Sequence, residues 1–236
     1  MAEPRWRLLL SCEHGGNLVP EPYQGLFAGQ EALLKTHRGY DIGIEPFARR
    51  LAAELKAPLQ LTLVSRLLIE LNRSPGHPAL FSEFTRNLNP AEREALLKQH
   101  YRPYRAAIMQ QIEQLLASHC RVCHVSLHSF TPELHGELRN ADIGLLYDPQ
   151  RPLEKQFCLN WQKQIEKHKD SWRVRRNYPY RGAADGLITQ LRRRFPAESY
   201  LGFELELNQC WPLQGGERWE ALQVLIGETL LAAIKQ

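Results

Sequence analysis

Short apolar runs alternate with longer amphipathic stretches along this chain, and that alternation restricts it to an α/β architecture. Leu8-Leu9-Leu10 reads as a first strand, ending in a Gly- and Pro-containing loop over residues 13–23. From about Ile42 to Lys56 the residues Ile44, Phe47, Ala48, Leu51 and Leu55 recur on one side of a predicted helix. Leu59–Val64 and Leu67–Leu71 are apolar and strand-like, and a polar loop from Asn72 to Asn89 follows. Asn89, Pro90 and Glu92 have the spacing of an N-cap, a first helical residue and the third position of a capping box. Leu97, Tyr101, Tyr104, Ile108, Ile112 and Leu115 carry that helix onward, with Pro103 expected to kink or break it. Further strands are expected at Val122–Leu127, Ile143–Tyr147, Trp172–Val174 and Leu201–Leu207, and helices at Pro152–Lys167, Gly186–Arg194 and Glu217–Ile234. The pattern contains no internal repeat or linker. A length of 236 residues suits one domain, a three-layer sandwich with a mixed, mostly parallel sheet.

Sheets of this kind bind ligands beyond the carboxyl ends of their strands. Three polar clusters fall at predicted strand ends, Glu13-His14, Asn72-Arg73 and His128-Ser129, and Glu204 and Glu206 lie in the last strand. Two residues apart, the two glutamates face one side of that strand. A hydrolytic metal site needs two or three His or carboxylate ligands and an open position for water. His14 and His128 each follow a strand, and Gly15-Gly16 after His14 allow a close backbone approach or a sharp turn. Asp41 sits where a helix begins, so it reads either as a helix cap or as a ligand. Arg66 with Asn72-Arg73 has the makings of an anion clamp, since guanidinium groups bind carboxylates in a planar, bidentate manner. The competing reading for Arg66 is a salt bridge to Glu70.

Composition removes other classes. No apolar run reaches the roughly 18 residues of a membrane span. The leucine run near the start is too short for the core of a signal peptide, so a cytoplasmic location is expected. Five cysteines at scattered spacing do not form a secreted disulfide framework. A net charge of +4 is mild, and the clusters Arg173, Arg175, Arg176 and Arg192-Arg193-Arg194 lack interleaved aromatics. They read as solvated faces rather than a nucleic-acid surface. Cys120-Arg121-Val122-Cys123-His124 matches the c-type haem attachment pattern, yet it opens an apolar strand, where buried structural cysteines are the better reading. Neither a G-x-S-x-G nucleophile elbow nor a P-loop is present.

Taken together, several blocks resemble the N-formylglutamate amidohydrolase family. They are Ser11-Cys12-Glu13-His14-Gly15-Gly16-Asn17, the segment from His37 through Gly43, and the segment from Ser65 through Ser74. His128-Ser129-Phe130-Thr131-Pro132, the segment from Asp142 through Tyr147, Asn177-Tyr178-Pro179-Tyr180 and Glu204-Leu205-Glu206-Leu207-Asn208 follow in order. The resemblance implies a phosphorylase/hydrolase-like fold related to zinc carboxypeptidases and aspartoacylase-like deacylases. It implies zinc, or another divalent metal, on His14, Asp41 and His128. Glu206 is then the general base, with Glu204 its rival, and Arg66, Asn72 and Arg73 grip a substrate carboxylate, with Asn17 and Arg139 as further substrate-binding candidates. Relatives with a His-x-x-Glu motif carry Glu where this chain has Asn17, so Asp41 and Glu13 compete for the role of acidic ligand. The implied partner is a small acidic N-acyl amino acid such as N-formyl-L-glutamate, with neither nucleic acid nor membrane involved. A metallo-carboxypeptidase acting on peptides or cell-wall fragments, and a binding protein that has lost catalysis, are the alternatives.

Overall fold

Trp6–Cys12 forms the first strand, β1, and the remaining elements follow it through a computed structural model that describes residues 5–168 and 172–235. A 3-10 turn at Glu21–Phe27 and a short helix α1 (Glu31–Leu34) lead to α2 (Ile44–Leu55) and β2 (Leu59–Leu61). Next come α3 (Pro90–Leu96), α4 (Arg102–Ala117), β3 (Arg121–Phe130), and a small hairpin of β4 (Glu133–Leu134) and β5 (Glu137–Leu138). β6 (Ile143–Leu146), α5 (Pro152–Glu166), β7 (Val174–Arg176), α6 (Leu187–Arg194), β8 (Tyr200–Asn208), α7 (Cys210–Gln214) and α8 (Gly216–Ile234) complete the chain.

Six strands form one sheet in the order β2-β1-β3-β8-β6-β7. β2, β1, β3 and β8 run parallel, β6 is antiparallel to β8, and β7 is parallel to β6. The sheet is therefore mixed and mostly parallel, as expected. Alternation along the strands separates two layers. Leu10, Cys12, Cys123, Val125, Leu127, Leu201, Phe203, Leu205 and Leu207 pack into one core with α2, α5 and α8. On the other face Leu9, Val122 and Tyr200 pack with Leu96 of α3, Tyr104, Ile108 and Ile112 of α4, and Leu187 and Leu191 of α6. That second face is apolar only at its lower end. Toward the carboxyl edge of the sheet it carries Ser11, Ser126, His128, Glu204 and Glu206, with Ser126 opposite Glu204 and His128 opposite Glu206.

Local signals hold where they are local. Asn89 accepts from Glu92 N at 3.0 Å while Glu92 Oε2 accepts from Asn89 N at 2.8 Å, closing the capping box. Pro103 does not break the helix. A π-helical turn at Leu97–Tyr101 precedes it and places it in the first turn of α4, where a missing N–H costs no helical bond.

Two expectations change. Leu67–Leu71 is buried but is not a strand. Leu68 N donates to Ser65 O at 2.9 Å and Glu70 N to Leu80 O at 2.9 Å, so turns satisfy this backbone instead of a ladder. Asp41 is not the cap of α2. Gly43, at φ 79°, occupies the N-cap position, and a Cβ there would meet Pro212 at 2.2 Å, so the turn requires glycine. The haem-like pattern also comes apart across the sheet: Cys123 packs in the α2, α5 and α8 layer, and His124 points the other way, between Tyr200 Oη and Ser11 Oγ at 2.9 Å each. Among the described residues no helix is long and apolar enough to cross a membrane.

Candidate functional site: a buried His-Asp-His centre

At the carboxyl edge of the sheet, three segments bring ring nitrogens and a carboxylate to one point. His14 comes from the loop after β1, Asp41 from the turn before α2, and His128 from β3. Gly15 and Gly16 let the first loop lie against the chain at 61–63: a Cβ at Gly16 would meet Leu63 O at 2.5 Å. They serve a backbone contact, not a ligand. Asp41 N donates to His14 O at 2.9 Å, which ties the two segments together. His128 Nδ1 lies 3.0 Å from Asp41 Oδ2, and His14 Nδ1 lies 3.4 Å from the same oxygen. One ligand atom from each of the three residues can be chosen so that all lie within 4.8 Å of one another, and all three residues are buried.

A second set of carboxylates holds the far side of each ring. Glu70 Oε1 is 2.5 Å from His14 Nε2, and Glu13 Oε2 is 3.0 Å from His128 Nε2. Glu13 also accepts from Tyr104 Oη at 2.8 Å and from Ser126 Oγ. Imidazole carries one proton when neutral, and these carboxylates engage it at Nε2. Both Nδ1 lone pairs then face Asp41 Oδ2, and three acceptors converge on one spot. Such a spot requires positive charge, either as a second proton on each ring or as a metal ion. Burial opposes charge on His128, but its hydrogen bonds to Asp41 and Glu13 prevail and push its pKa well above the ordinary value. Burial and Arg66 oppose charge on His14, and Glu70 and Asp41 overcome both to raise it. Burial would raise Glu13, yet His128 and Ser126 bring it down to about 2. Asp41 and Glu70 are held low in the same way, against burial, by the histidines and, for Glu70, first by Arg66. Two imidazoles and a carboxylate, each ring backed by an outer acceptor, could hold a divalent cation with a position left open.

Above this centre lies a cavity of about 320 Å³. Glu204 and Glu206 both line it, as their spacing implied. They differ in surroundings. Glu206 is 5% exposed, its Oε2 has no hydrogen-bond partner, and burial, reinforced by Asp41 and Glu204, pushes its pKa up to about 8. Glu204 is only half-buried and accepts from Asn72 Nδ2 at 3.2 Å.

The structure distributes the expected anion-binding residues unevenly. Arg66, Asn72 and Arg73 line the cavity. The Arg66 guanidinium is already engaged, by Glu70 Oε2 at 2.6 Å from Nη2 and by Asp41 Oδ1 at 3.3 Å from Nη1. Asn72 Oδ1 accepts from Leu187 N at 2.8 Å, fixing its amide between α6 and Glu204. Arg73 Nη1 donates to Asp185 O at 2.6 Å. Asn17 and Arg139 do not line the cavity. Asn17 donates to Leu34 O at 3.0 Å, so it closes its own loop, and Arg139 donates to Tyr180 Oη at 3.0 Å from outside. Glu13 sits under His128 rather than beside His14 Nδ1, so the structure leaves Asp41 at the point of convergence.

Sequence reading missed Tyr180, Arg181 and Asp185 in the cavity wall, and the support that Glu70, Tyr104 and Ser126 give the histidines. The i, i+4 spacing of Arg66 and Glu70 was visible, but the second partner of Glu70 lies 56 residues away in sequence. Tyr180 ends the block Asn177-Tyr178-Pro179-Tyr180 and Arg181 follows it, and neither carries a metal-ligand or helix-period signal of its own.

The fold is α/β with a mixed sheet, which carries this His-Asp-His centre at its carboxyl edge. The chain belongs to the N-formylglutamate amidohydrolase family, whose model matches residues 6–211. It is similar in structure to gene product Atu2144 of Agrobacterium tumefaciens, with a TM-score of 0.79 and 28% identity over 97% of this chain and 92% of that one. It shares its fold with an N-formylglutamate amidohydrolase from Ralstonia eutropha JMP134, with a TM-score of 0.68 and 18% identity over 99% and 94% of the two chains. A comparison with curated proteins gives no match.

Proposed function

We propose that this protein hydrolyses the N-acyl amide bond of an acidic amino acid, with N-formyl-L-glutamate as the model substrate. The observation that carries this reading is the convergence of His14, Asp41 and His128 beneath a cavity that Glu206 enters with a free, buried oxygen. His14, Asp41 and His128 would hold a divalent metal, and two imidazoles with one carboxylate suit zinc. Bound there, the metal supplies Lewis acidity, lowering the pKa of water and polarising the acyl carbonyl.

The chain's own groups do the rest. Glu206 Oε2 takes a proton from the attacking water and returns it to the amide nitrogen as the carbon–nitrogen bond breaks, releasing formate and the free amine. Burial raises its pKa to about 8, which favours the protonated form that delivers a proton to nitrogen, and a cation held by His14, Asp41 and His128 would favour the ionised form that accepts one. Arg73 binds the substrate α-carboxylate from the cavity wall. Asn72 orients Glu204, and Arg66, committed to Glu70 and Asp41, keeps those carboxylates ionised and in place.

The test is formate release from N-formyl-L-glutamate by the purified protein, before and after treatment with a chelator, and after zinc, cobalt or manganese is restored. Activity lost with the metal and regained with its return is the expected result. Full activity in metal-depleted protein, or no formate under any condition, overturns the reading.

A further inference from the structure

Three arginines line the cavity, and their charges are committed to different degrees. Arg66 is neutralised by Glu70 and Asp41. Arg73 is half-buried, bonded to the Asp185 carbonyl, on a wall that also carries the Asp185 carboxylate. Arg181 is exposed at the rim, and its guanidinium makes no hydrogen bond or ion pair with any described residue.

The backbone that carries Arg181 is fixed. Asn177 Oδ1 accepts from Gly182 N and from Tyr147 N, each at 3.1 Å, tying this segment to the end of β6. Arg192, itself paired with buried Glu154, donates to Gly182 O, and Ala184 N donates to Arg181 O at 2.9 Å. The result is a cation on an ordered backbone, lining a cavity whose carboxylates have other surroundings: Glu204 accepts from Asn72, Asp185 accepts from Ser74 N at 2.9 Å, and Glu206 is buried. Among the described residues none of these carboxylates reaches its guanidinium, which leaves it available to an anion on the ligand.

We propose that Arg181 reads the side-chain carboxylate of the substrate and makes the site selective for acidic N-acyl amino acids over their amide counterparts. The inference rests on the reading that the cavity accepts N-acyl amino acids. Depth assigns the two anions. The α-carboxylate is one carbon from the scissile nitrogen and falls to Arg73 in the wall. The side-chain carboxylate of a glutamate-type ligand reaches two bonds further from that nitrogen, toward the exposed Arg181. A guanidinium pairs with both oxygens of a carboxylate, whereas a carboxamide offers one acceptor and no charge.

The experiment reads binding apart from turnover. N-methanesulfonyl-L-glutamate and N-methanesulfonyl-L-glutamine carry a sulfonamide that an amide hydrolase does not cleave. Each is titrated calorimetrically into the wild-type protein and into R181Q and R181K, with zinc present. Wild type is expected to bind the glutamate form about 30-fold more tightly, the range of a charge-assisted bidentate contact. R181Q should bring the two affinities to within about 3-fold, and R181K should fall between, since it keeps the charge but not the fork. Because Arg181 is exposed, both variants should melt with the wild type. Equal weakening of both ligands in R181Q, no preference in wild type, or no binding of either overturns the proposal. Formate release from N-formyl-L-glutamate is followed in parallel. A preference for the glutamate form that R181Q removes, in a protein that releases no formate, would remove the hydrolytic reading and leave the role of Arg181 standing.

Discussion

Glu13 Oε2 lies 3.0 Å from His128 Nε2, on the side of the ring turned away from Asp41. The carboxylate is buried and held by Tyr104 and Ser126 as well, so the orientation of His128 is set from beneath the sheet edge. Replacing it by Gln removes the charge and keeps the shape. E13Q is expected to bind zinc about 10- to 100-fold more weakly, the usual cost of losing an outer partner of a metal-ligating histidine. Competition with a chromophoric chelator measures this. Unchanged zinc affinity in a folded E13Q would remove Glu13 from any positioning role.

Glu206 and Glu204 are separable by substitution. E206Q should keep its metal content and lose about 10²- to 10⁴-fold in kcat, as expected when a general base is neutralised. E204Q, altering a group held by Asn72 at the cavity wall, should lose much less. Formate release and metal analysis on the same samples give the answer, and the reverse order would transfer the proton to Glu204.

The acid side of the stability curve should carry the signature of His124. Burial depresses its pKa to about 4, and it stays neutral between Tyr200 and Ser11. Unfolding frees it to titrate near pH 6.5, so between pH 6.5 and 4 the unfolded chain binds the extra proton and stability falls as pH drops. The full effect is roughly 3 kcal/mol. His14 and His128, raised when folded, act in the other window: their contribution is complete below pH 6.5 and is lost as pH rises above it. Urea melts of metal-free wild type and H124Q at pH 6 and pH 5, below the window of His14 and His128, read the loss as the difference between the two proteins, and H124Q should have the flatter slope.

Gly43 links the fold to the centre. With φ at 79° and Pro212 where a Cβ would sit, G43A is expected to destabilise the protein by about 1–3 kcal/mol. Because the strain falls two residues after Asp41, zinc affinity should drop too. Denaturant midpoints and metal titration check the two effects separately, and a G43A protein as stable as wild type would show that the turn relaxes freely.

What could be read from the sequence follows the range of the interaction responsible. Helix α3 was legible because Asn89, Pro90 and Glu92 cap it from within four residues. Most of the sheet strands were legible because their apolar pattern is local; His14 and His128 stood out because each lies at the end of a predicted strand, and Asp41 because it stands before a predicted helix. Leu67–Leu71 misled because an apolar run records burial and not geometry. Here burial comes from a turn packed at the edge of the sheet, with its bonds to Ser65 and Leu80. The commitment of Arg66 was left open for a similar reason: i, i+4 spacing permits a pair with Glu70, but only the position of Asp41 decides that the guanidinium is used up. Arg181 left no periodic trace, since what sets it apart is that its guanidinium pairs with none of the described residues.

The shared register of β3 and β8 bears on how such a chain can change over time. His128 stands opposite Glu206 and Ser126 opposite Glu204, with leucines between them turned to the other layer. A single inserted or deleted residue upstream in β8 would rotate both glutamates into the apolar layer and present Leu205 and Leu207 to the cavity. Length variation is therefore barred from these two central strands, and in this lineage insertions and deletions should collect in the surface connections, such as the turn between β4 and β5.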